Sequence, residues 1–513
     1  MRRSWVLIRH GSEAHPSTTA LKSPSAPEGR GTTTLDRAVD AVTARIGAAT
    51  GVALLVQGTE AFAVRAAAAR AAGRSLDLQY YLWHGDLTGG LLAQEVLQAA
   101  DRGVRVRMLL DDVFALGQER AIAALDAHPQ IEVRLFNGTR WRAFGWLGYA
   151  LEMLLGGWHL NRRMHNKAWI ADGRVAIAGG RNLADEYFDA AEEFNFRDLD
   201  MLLAGRAVTQ ATAVFERYWR SPFARPARDL SPAGNARGGL AALRRRLLAA
   251  ADAPAARRFL ARSPEGSRLS TCLDKRLVAV PEGAIRVVAD PPEKAKRGLG
   301  ARRRARAAGG IGPEAADALR LAQREALLVS PYFVPGAAGL ELLAALVRRG
   351  VRVSVVTNSL AATDVVAVHG GYAGYRRTLL EAGIELFELK RSGDEATSLF
   401  GSRGASLHTK AFVVDEARVC VGSFNLDPRS AALNTEMGIF ADSPELAREL
   451  KAEHERLAHP ARSWRVSLAD GRLCWSAQDA LGRPATSWHE PDASLSRRVL
   501  AGLIHLLPVE AQL

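Results

Sequence analysis

Short runs rich in apolar residues alternate along this chain with longer segments in which apolar residues recur every three or four positions. In the first part of the chain, the runs at 52–56, 76–82 and 104–110 predict strands. The segments at 61–72 and 89–102 predict helices between them. Because strands alternate with helices, the pattern predicts an α/β fold, with a mostly parallel or mixed sheet flanked by helices.

The order of predicted elements repeats in the second part of the chain. There the pattern predicts, in order, a strand at 285–289, a helix at 314–324, a strand at 326–330, a helix at 339–349 and a strand at 351–357. The letters Gly-Val-Arg-Val occur both at 103–106 and at 350–353. Similarity on this scale indicates a duplicated domain, because solenoid repeats have periods of about 20–50 residues.

A longer pattern, His-x-Lys-x4-Asp, also occurs twice and carries the candidate chemistry. It is formed by His165, Lys167 and Asp172, and again by His408, Lys410 and Asp415. The two histidines lie 243 positions apart (408 − 165), and the lysines and aspartates keep the same offset. Two accidents would not keep this register. We therefore predict two homologous halves, related by a pseudo-two-fold axis, with one active site between them.

An asparagine follows each copy of the pattern after a turn of small residues. These asparagines are Asn182 and Asn425, again 243 positions apart (425 − 182). We expect both to contact a substrate phosphate. Each also precedes a segment that can begin a helix, so helix capping is the alternative interpretation.

The residue types of the duplicated pattern suit displacement at a phosphodiester. Residues two apart in a strand point to the same face, so each histidine shares a pocket with its lysine. One neutral imidazole can attack phosphorus to form a phosphohistidine, while the other, protonated, gives a proton to the leaving alkoxide. Lysines and asparagines would stabilise the non-bridging oxygens. Since no Asp and Glu cluster with metal-ligand spacing accompanies either copy, we expect neither metal nor other cofactor.

The two aspartates of the pattern have two interpretations. Asp172 lies five positions beyond Lys167, and Gly173 and a second apolar run follow it, which is a signal for a hairpin. An aspartate in such a turn fixes the hairpin through side-chain hydrogen bonds. Asp172 and Asp415 are therefore either members of the catalytic set or turn residues with an indirect role.

The net charge of the chain indicates anionic partners. The 513 residues have a formal net charge of +13, and between positions 237 and 306 there are 18 Lys and Arg but only 6 Asp and Glu. A basic surface indicates phospholipid headgroups or nucleic acid, and a solvated linker is the alternative. The three cysteines lack metal-ligand spacing, which excludes a disulfide framework and a structural zinc site.

The repeat and the charge pattern together predict the domain boundaries. We expect an N-terminal arm at 1–50, a first half at 51–228, a basic linker at 229–282, a second half at 283–461 with a basic insertion at 293–310, and a tail at 462–513 with an amphipathic helix. That helix either lies in a membrane interface or packs on the core. No window reaches the roughly 18 apolar residues of a spanning helix, so membrane contact is expected to be peripheral.

The doubled pattern resembles the signature of the phospholipase D superfamily. Within it, the words Arg-Arg-Met-His-Asn-Lys at 162–167, Leu-Gln-Tyr-Tyr at 78–81 and Leu-Pro-Val-Glu at 507–510 are similar to bacterial cardiolipin synthases of the C type, which lack paired N-terminal transmembrane helices. The resemblance implies transfer of a phosphatidyl group, through a phosphatidyl-histidine, to the hydroxyl of phosphatidylglycerol. The donor would be phosphatidylglycerol or phosphatidylethanolamine.

The resemblance also implies roles for single residues. His165 would be the nucleophile and His408 the acid and base, although the reverse assignment stays open. Asp198 and Glu436 stand where relatives have carboxylates that orient the histidines, and a surface salt bridge is the alternative for Asp198. Gly180 and Ser423 join the phosphate-binding set. Because Gly180 replaces the serine of many members, the two halves need not bind phosphate alike.

A long apolar insertion before His165 bears on the substrate. Its members are Trp141, Phe144, Trp146, Tyr149, Leu151, Met153, Leu154, Leu155 and Trp158, flanked by Arg140, Arg142, Arg162 and Arg163. Aromatic residues among cations suit the headgroup level of a bilayer, and a helix packed over the sheet is the alternative. We therefore expect a peripheral protein on the cytoplasmic side of the cell membrane, bound to anionic phospholipid.

Two other functions remain as alternatives. A phosphodiesterase of the same fold would use water as the acceptor and act on phospholipid or on nucleic acid. Nucleic acid is the less expected substrate, because nucleases of this superfamily usually carry one motif and dimerise. A basic binding protein with a decayed site is disfavoured, since both sets of His, Lys and Asp are present. The sequence leaves open whether a partner protein is needed.

Overall fold

The computed structural model describes residues 31–230, 236–262, 269, 273, 276–296, 309–391, 404–479 and 481–505. Most of the predicted arm and of the basic insertion, and the last residues of the chain, lie outside these ranges. The described part of the arm is helix α1 (Thr34–Ile46), which Thr33 caps through its side chain. Leu35 and Val39 of α1 are buried in the core of the first half.

The first half is built from ten strands and ten helices among the described residues. Its strands are β1 (Thr50–Leu55), β2 (Ser75–Tyr80), β3 (Arg105–Asp111), β4 (Ile131–Phe136), β5 (Ala168–Ala171), β6 (Val175–Gly179), β7 (Asn195–Arg197), β8 (Asp200–Gly205), β9 (Ala224–Pro226) and β10 (Val278–Val280). Besides α1, its helices are α2 (Gly58–Ala71), α3 (Leu87–Asp101), α4 (Asp112–Ala115), α5 (Glu119–Asp126), α6 (Gly145–Leu154), α7 (Val208–Trp219), α8 (Ala227–Leu230), α9 (Ala236–Ala251) and α10 (Pro254–Ala261).

The second half contains the remaining elements. Its strands are β11 (Ile285–Ala289), β12 (Glu325–Val329), β13 (Arg352–Asn358), β14 (Glu385–Leu389), β15 (Ala405–Leu407), β16 (Ala411–Val414), β17 (Arg418–Gly422), β18 (Met437–Asp442), β19 (Ser463–Ala469), β20 (Arg472–Gln478) and β21 (Pro484–Ser487). Its helices are α11 (Ile311–Arg320), α12 (Gly336–Arg348), α13 (Val366–Ala373), α14 (Arg376–Glu381), α15 (Pro428–Ala432), α16 (Pro444–Ala458) and α17 (Leu495–His505). Short 3-10 turns lie at Arg142–Phe144, Trp158–Asn161, Asp185–Tyr187 and Pro292–Ala295.

Both halves contain a seven-stranded mixed sheet with the same topology. The order is β1-β8-β6-β5-β2-β3-β4 in the first sheet and β11-β18-β17-β16-β12-β13-β14 in the second. In each sheet the last three strands are parallel and the others pair antiparallel. The structure therefore confirms the predicted α/β class and the two homologous halves.

The two sheets share an apolar core, which fixes their relative position. Ile170 of the first sheet and Val413 of the second belong to one buried cluster, together with Phe215 of α7 and Leu450 of α16. Two further clusters lie on the outer faces, one in each half. Burial of apolar surface between the halves thus holds the facing ends of their strands together.

The described residues of the two segments outside the repeat form further helices and strands. In the predicted linker, α9 and α10 bury Leu247 and Phe259 in the first core, and β10 pairs with β1. In the predicted tail, β19 to β21 extend the second sheet beyond β14. Trp464 and Trp475 are buried there, because alternate residues of these strands face the core. The described residues of α9, α10 and β10 therefore pack as part of the first half, and β19 to β21 as part of the second.

Among the described residues, no helix is both long and apolar enough to cross a bilayer.

Candidate active site

Each histidine of the duplicated pattern is hydrogen-bonded to a carboxylate from the other half of the chain. Nδ1 of His165 lies 2.8 Å from Oε2 of Glu436. Nδ1 of His408 lies 2.6 Å from Oδ2 of Asp198. Since each half supplies the histidine of one pair and the carboxylate of the other, neither half contains a complete pair. The four side chains are buried, and the two histidines are only 7% and 5% exposed.

Backbone pairing between the halves produces these contacts. Strands β7 and β15 are parallel, with Arg197 opposite Leu407, so that the next residues, Asp198 and His408, are neighbours. A single parallel bridge joins Met164 to Thr435 and brings the next residues, His165 and Glu436, together in the same way. The N–H of His165 donates to the carbonyl of Thr435 at 2.8 Å, and that of His408 donates to Arg197 at 2.7 Å.

The lysines lie at the start of the strands that follow the histidines. Lys167 directly precedes β5, and its Nζ donates to the carbonyl of His165 at 2.8 Å. Lys410 directly precedes β16, and its Nζ donates to the carbonyl of His408. The pKa of Lys167 is lowered to about 7, mainly by burial and in part by the charge of Lys410, against the opposing charge of Glu436. Burial also lowers the pKa of Lys410, to about 8. The nearby carboxylates therefore do not fully balance the positive charges of the two ammonium groups, which suit an anionic ligand.

The two histidine–carboxylate pairs differ in their electrostatics. Burial lowers the pKa of His165 and lowers that of His408 well below its ordinary value, with the lysine charges adding to both shifts. Burial raises the pKa of Asp198. Burial opposes ionisation of Glu436 as well, but His165 and Lys167 outweigh it and the pKa of Glu436 is lowered. Glu436 is thus the more firmly ionised partner.

Ser423 and Gly180 contact the carboxylates, and these contacts differ from the predicted phosphate contacts. The hydroxyl of Ser423 donates to Oε2 of Glu436 and accepts from the N–H of Met437 at 3.0 Å. A Cβ added to Gly180 would lie 2.0 Å from Oδ1 of Asp198. The glycine therefore leaves space for the shorter aspartate, while the serine holds the longer glutamate. The phosphate contacts expected of Gly180 and Ser423 stay a prediction.

Asn182 and Asn425 are both buried. The side-chain N–H of Asn182 donates to the hydroxyl of Tyr187 at 2.9 Å. Within the described part of the chain, the Oδ1 atoms of both asparagines are buried without a hydrogen-bond partner. Buried polar atoms without a partner are uncommon and call for a ligand or water. Neither asparagine caps a helix, since α15 is capped by Asp427 and the turn Asp185–Tyr187 has no side-chain cap.

Asp172 and Asp415 lie in the hairpin turns, at the far ends of β5 and β16 from the histidines. The carboxylate of Asp172 accepts from the backbone N–H of Gly73, Arg74 and Ser75 at 2.7–2.9 Å. Asp415 accepts in the same way from residues 323 to 325, at 2.8–3.0 Å. Both have a positive φ, 53° and 55°. These are the contacts of the turn-residue interpretation, in which each aspartate fixes its hairpin to the start of the neighbouring strand.

Two tyrosines complete the walls around the histidines and were not predicted as site residues. The ring of Tyr81 lies edge-on to His165 with centroids 5.0 Å apart. The ring of Tyr187 lies edge-on to His408 at 5.1 Å. Tyr81 directly follows β2, and Tyr187 lies five residues after Asn182. Only their position after a strand or motif of each half marks them in the sequence.

One group of described residues has the composition of a metal site, outside the histidine pocket. Ligand atoms of His84, Asp86 and Glu186 lie within 4.8 Å of one another. The Asp86 carboxylate already accepts from the N–H of Gly89 at 3.0 Å and of Asp185 at 2.9 Å. Burial and the charge of Asp185 raise the pKa of Asp86 to about 7. These bonds give Asp86 a structural role at the start of α3.

Comparisons with known proteins identify the family to which the chain belongs. A family profile described as "Cardiolipin synthase, PLD-like domain" matches residues 66–219 and 316–458. Cardiolipin synthase C of Escherichia coli (strain K12) is 37% identical over 462 residues, which are 89% of this chain and 94% of that protein. Cardiolipin synthase A of Pseudomonas entomophila (strain L48) is 26% identical over 435 residues, 82% of this chain and 73% of that protein.

A solved structure shows the same fold over almost the whole chain. The crystal structure of phosphatidylserine synthase from Haemophilus influenzae Rd KW20 superimposes with a TM-score of 0.56 at 13% identity. The superposition covers 93% of this chain and 100% of that chain. The extent of the match indicates that the two-half architecture, and not one half alone, is shared.

Proposed function

The chain belongs to the cardiolipin synthase family of phospholipase D-like proteins, and we propose that it makes cardiolipin by phosphatidyl transfer. The acceptor is the hydroxyl of phosphatidylglycerol, and the donor is phosphatidylglycerol or phosphatidylethanolamine. One observation carries the proposal: two buried histidines, each oriented by a carboxylate from the opposite half, face one pocket with two lysines. This arrangement supplies a nucleophile and a separate acid for one phosphodiester.

In the first step, Nε2 of His165 attacks the phosphorus of the donor. Its Nδ1–H faces Glu436 and the carbonyl of Ser423 at 3.1 Å, which keeps the lone pair on Nε2. The bond from phosphorus to the leaving alkoxide breaks as the bond from nitrogen to phosphorus forms. His408 gives the alkoxide its Nε2 proton. The bound anionic phosphodiester offsets the lysine charges that lower the pKa of His408, so the ring can be protonated at this point.

In the second step, the hydroxyl of phosphatidylglycerol takes the place of the leaving group. His408, now neutral, accepts the hydroxyl proton at Nε2, and the oxygen attacks the phosphorus of the phosphatidyl-histidine. The bond from phosphorus to His165 breaks and cardiolipin leaves. Lys167, Lys410 and the side-chain amides of Asn182 and Asn425 stabilise the charge on the non-bridging oxygens. Burial of the pocket favours a bound lipid hydroxyl over water.

Lipid analysis tests this function directly. The purified protein is incubated with phosphatidylglycerol vesicles, with and without phosphatidylethanolamine, and the products are separated by mass. Cardiolipin is expected, and His165→Ala and His408→Ala should each abolish it. If phosphatidic acid is the sole product, the reaction is hydrolysis and not phosphatidyl transfer. Cleavage of nucleic acid without lipid turnover would overturn the lipid substrate.

The proposal includes a lipid surface as partner, which an exposed apolar patch supports. The patch consists of the large side chains on and beside α6, namely Phe144, Trp146, Leu147, Leu151, Leu154 and Leu155. Their exposed fractions range from 44% to 82%. A monomeric protein seldom exposes so many large apolar residues together without a binding partner. Their exposure disfavours the alternative of a helix packed over the sheet.

Hydrogen bonds connect this patch to the loop that carries His165. The hydroxyl of Tyr149 on α6 accepts from Arg163 at 2.7 Å. Arg163 contacts Asp111, and a carboxylate oxygen of Asp111 accepts from the N–H of Met164 at 2.8 Å. Met164 directly precedes His165. A helix inserted at headgroup level would therefore place the active site next to the lipid phosphates.

Sedimentation with vesicles tests the lipid partner. Replacing Leu147 and Leu154 by serine should weaken binding to anionic vesicles at least about tenfold, since two leucines leave the apolar phase. The matched control replaces Leu321 and Leu481, which are 57% and 75% exposed elsewhere on the surface, and should bind normally. If the two double variants bind anionic vesicles equally well, the exposed patch is not the lipid-binding surface.

The basic charge and the exposed patch also bear on the location of the protein in the cell. We propose peripheral association with the cytoplasmic face of the cell membrane, because the basic chain and the patch suit an anionic lipid surface. Protease treatment of spheroplasts and extraction of isolated membranes with high salt provide the check. Digestion of the protein in intact spheroplasts would contradict the assigned side.

A further inference from the structure

A cavity of about 550 Å³ lies in the second half between α11, α12 and the loop after Ser423. Its walls are mainly apolar, with Leu319, Leu343 and Phe333 among them. Cationic side chains also reach its lining, among them Lys294, which pairs with Asp290 at 2.6 Å. This volume lies within the range of small-molecule sites, about 300–1,000 Å³.

The cavity is separated from the catalytic lysine by a single layer of side chains. Phe424 and Leu426, on either side of Asn425, line the cavity on one face. The same two residues line a small space that contacts Lys410 on the other. Asp427, whose pKa burial raises to about 7, also lines the cavity. A ligand whose phosphate lies at Lys410 can therefore reach this cavity once the side chains of Phe424 and Leu426 turn aside.

The duplicated fold offers an internal comparison, because the first half is filled at the corresponding place. Gly312 lies 13 residues before Glu325, the start of β12, as Phe62 lies 13 residues before Ser75, the start of β2. Phe62 contacts Phe188 at 5.7 Å and Phe259 of α10 at 4.9 Å between ring centroids.

The neighbouring positions differ in the same direction. Ala315 corresponds to Arg65, since each lies 10 residues before its strand. Arg65 is fully buried and pairs with Asp200 at 2.8 Å. Ala431 corresponds to Phe188, six residues after each asparagine of the pattern. The second half thus has glycine or alanine where the first has two phenylalanines and an arginine, and the cavity is a property of this half and not of the fold.

We propose that this cavity binds an acyl chain of a phospholipid substrate. The inference rests on the proposed function, which brings a diacylated phosphodiester to Lys410. An acyl chain matches the apolar walls, and its burial supplies binding energy in proportion to the area removed from water. The site would therefore set the preference for acyl-chain length at one of the two lipid positions.

Variants that fill the cavity test the proposal. Gly312→Phe introduces the residue of the first half, and Ala316→Leu adds bulk from the next turn of α11, where Ala316 also lines the cavity. Gly312→Ala is the matched control, because its added Cβ would meet the Phe424 ring only at ordinary distances of 3.5 Å and more. Turnover is measured with long-chain and with dibutanoyl phosphatidylglycerol, and folding is checked by thermal melting.

The two filling variants should raise KM for the long-chain lipid about tenfold, the effect of about two methylene groups kept from the apolar walls. With the dibutanoyl lipid, and for Gly312→Ala with both lipids, kcat/KM should equal that of the unaltered protein. An equal loss on both lipids, or no loss on either, would overturn the proposal.

A binding measurement separates this proposal from the proposed function. The unaltered protein is mixed with vesicles of a phosphatidylglycerol that carries a diazirine at the acyl terminus, irradiated and digested. Labelled peptides from α11 or α12 would show that the cavity binds the acyl chain. This outcome would stand even if no cardiolipin forms and the proposed transferase function fails. Cardiolipin synthesis with labels only elsewhere would overturn the acyl site and leave the proposed function standing.

Discussion

Glu436 and Asp198 hold the same ring atom of two histidines in different electrostatic settings. The pKa of Glu436 is lowered, since His165 and Lys167 outweigh its burial, whereas burial raises the pKa of Asp198. An ionised partner raises the basicity of the imidazole it orients, which favours attack by His165. The backbone arrangement is two-fold symmetric, but the charges around the two histidines are not.

This difference predicts that the two carboxylates act on different steps. Glu436→Gln and Asp198→Asn should each lower kcat with natural lipid about 100-fold or more, because the histidine loses its fixed tautomer. With a phosphatidyl-p-nitrophenol donor, Asp198→Asn should recover the first step, since p-nitrophenolate leaves without a proton. Glu436→Gln should stay slow with this donor. Release of p-nitrophenol in the first turnover is the measurement.

The outcome also decides which histidine attacks. Recovery by Glu436→Gln instead of Asp198→Asn would assign the nucleophile to His408. Recovery by neither variant would show that the carboxylates act on both steps alike. Thermal melting of the two variants is the control for loss of folded protein.

The buried lysines predict the pH dependence of substrate capture. Burial lowers the pKa of Lys167 to about 7 and that of Lys410 to about 8. Above these values the free enzyme loses ammonium charge, so binding an anionic phosphodiester requires proton uptake. We expect kcat/KM to fall as pH rises through 7 to 8, and the affinity for tungstate, a phosphate analogue, to fall with it.

The histidines should contribute only the acidic side of this profile. Their pKa values are lowered from 6.5 by burial, so they protonate below that pH. Calorimetric titration of tungstate in buffers with different ionisation enthalpies measures the protons taken up. A kcat/KM that stays constant to pH 9, with no proton uptake, would contradict the lowered lysine pKa values.

At the scale of elements, Asp172 joins the β5–β6 hairpin to the start of β2. Asp172→Ala leaves three backbone N–H groups without their acceptor and should destabilise the protein by about 2 kcal/mol or more. Asp415→Ala should cost roughly 1 kcal/mol, because the N–H groups of Gln323 and Arg324 are exposed to water. Urea unfolding measures both. The folded fraction of each variant should keep a normal kcat.

A catalytic role would give the opposite result. If Asp172→Ala kept its stability but lost turnover, the aspartate would act in the chemistry despite its position. Asp172→Asn is the conservative comparison, since its side-chain oxygen can still accept from part of the same backbone and should lose less stability.

The sequence predicts the elements that repeat and predicts less well those that do not. The strand predicted at 285–289 has the same bounds in the structure, since four of its five residues are apolar and only Arg286 is charged. The helix predicted at 314–324 lies at Ile311–Arg320, because Asp415 binds the backbone N–H of residues 323 to 325 and starts β12 there. That contact joins residues about 90 apart, which local pattern cannot show.

The candidate site follows the same division. The register of the two motifs identifies His165, Lys167, His408 and Lys410, since the duplication itself is visible in the sequence. The partners of the histidines depend on which strands meet between the halves, and only the pairing of β7 with β15 shows that Asp198 faces His408. The contacts of Gly180 with Asp198 and of Ser423 with Glu436 depend on the pairing of β6 with β8 and of β17 with β18, which a short sequence pattern does not show.

For the whole molecule, the reciprocal pairs make each half dependent on the other. The first half contains His165 and Asp198, and the second contains His408 and Glu436, so the site histidine of either isolated half lacks its carboxylate. The chain passes from one sheet to the other between β10, which pairs with β1, and β11, which pairs with β18. The turn between them, residues 281 to 284, is exposed at Glu282 and has a positive φ of 88° at Gly283.

This crossing predicts the behaviour of a chain cut at the turn. With a protease site inserted between Glu282 and Gly283, the cut protein should elute as one particle with unchanged turnover, because the shared apolar core holds the sheets together. After separation in urea, neither piece should form cardiolipin on its own. Joint refolding of the two pieces should restore activity, while joint refolding with an Asp198→Asn first piece should not. Turnover by a single refolded piece would contradict the reciprocal arrangement, because it would require a histidine that works without the carboxylate of the other half.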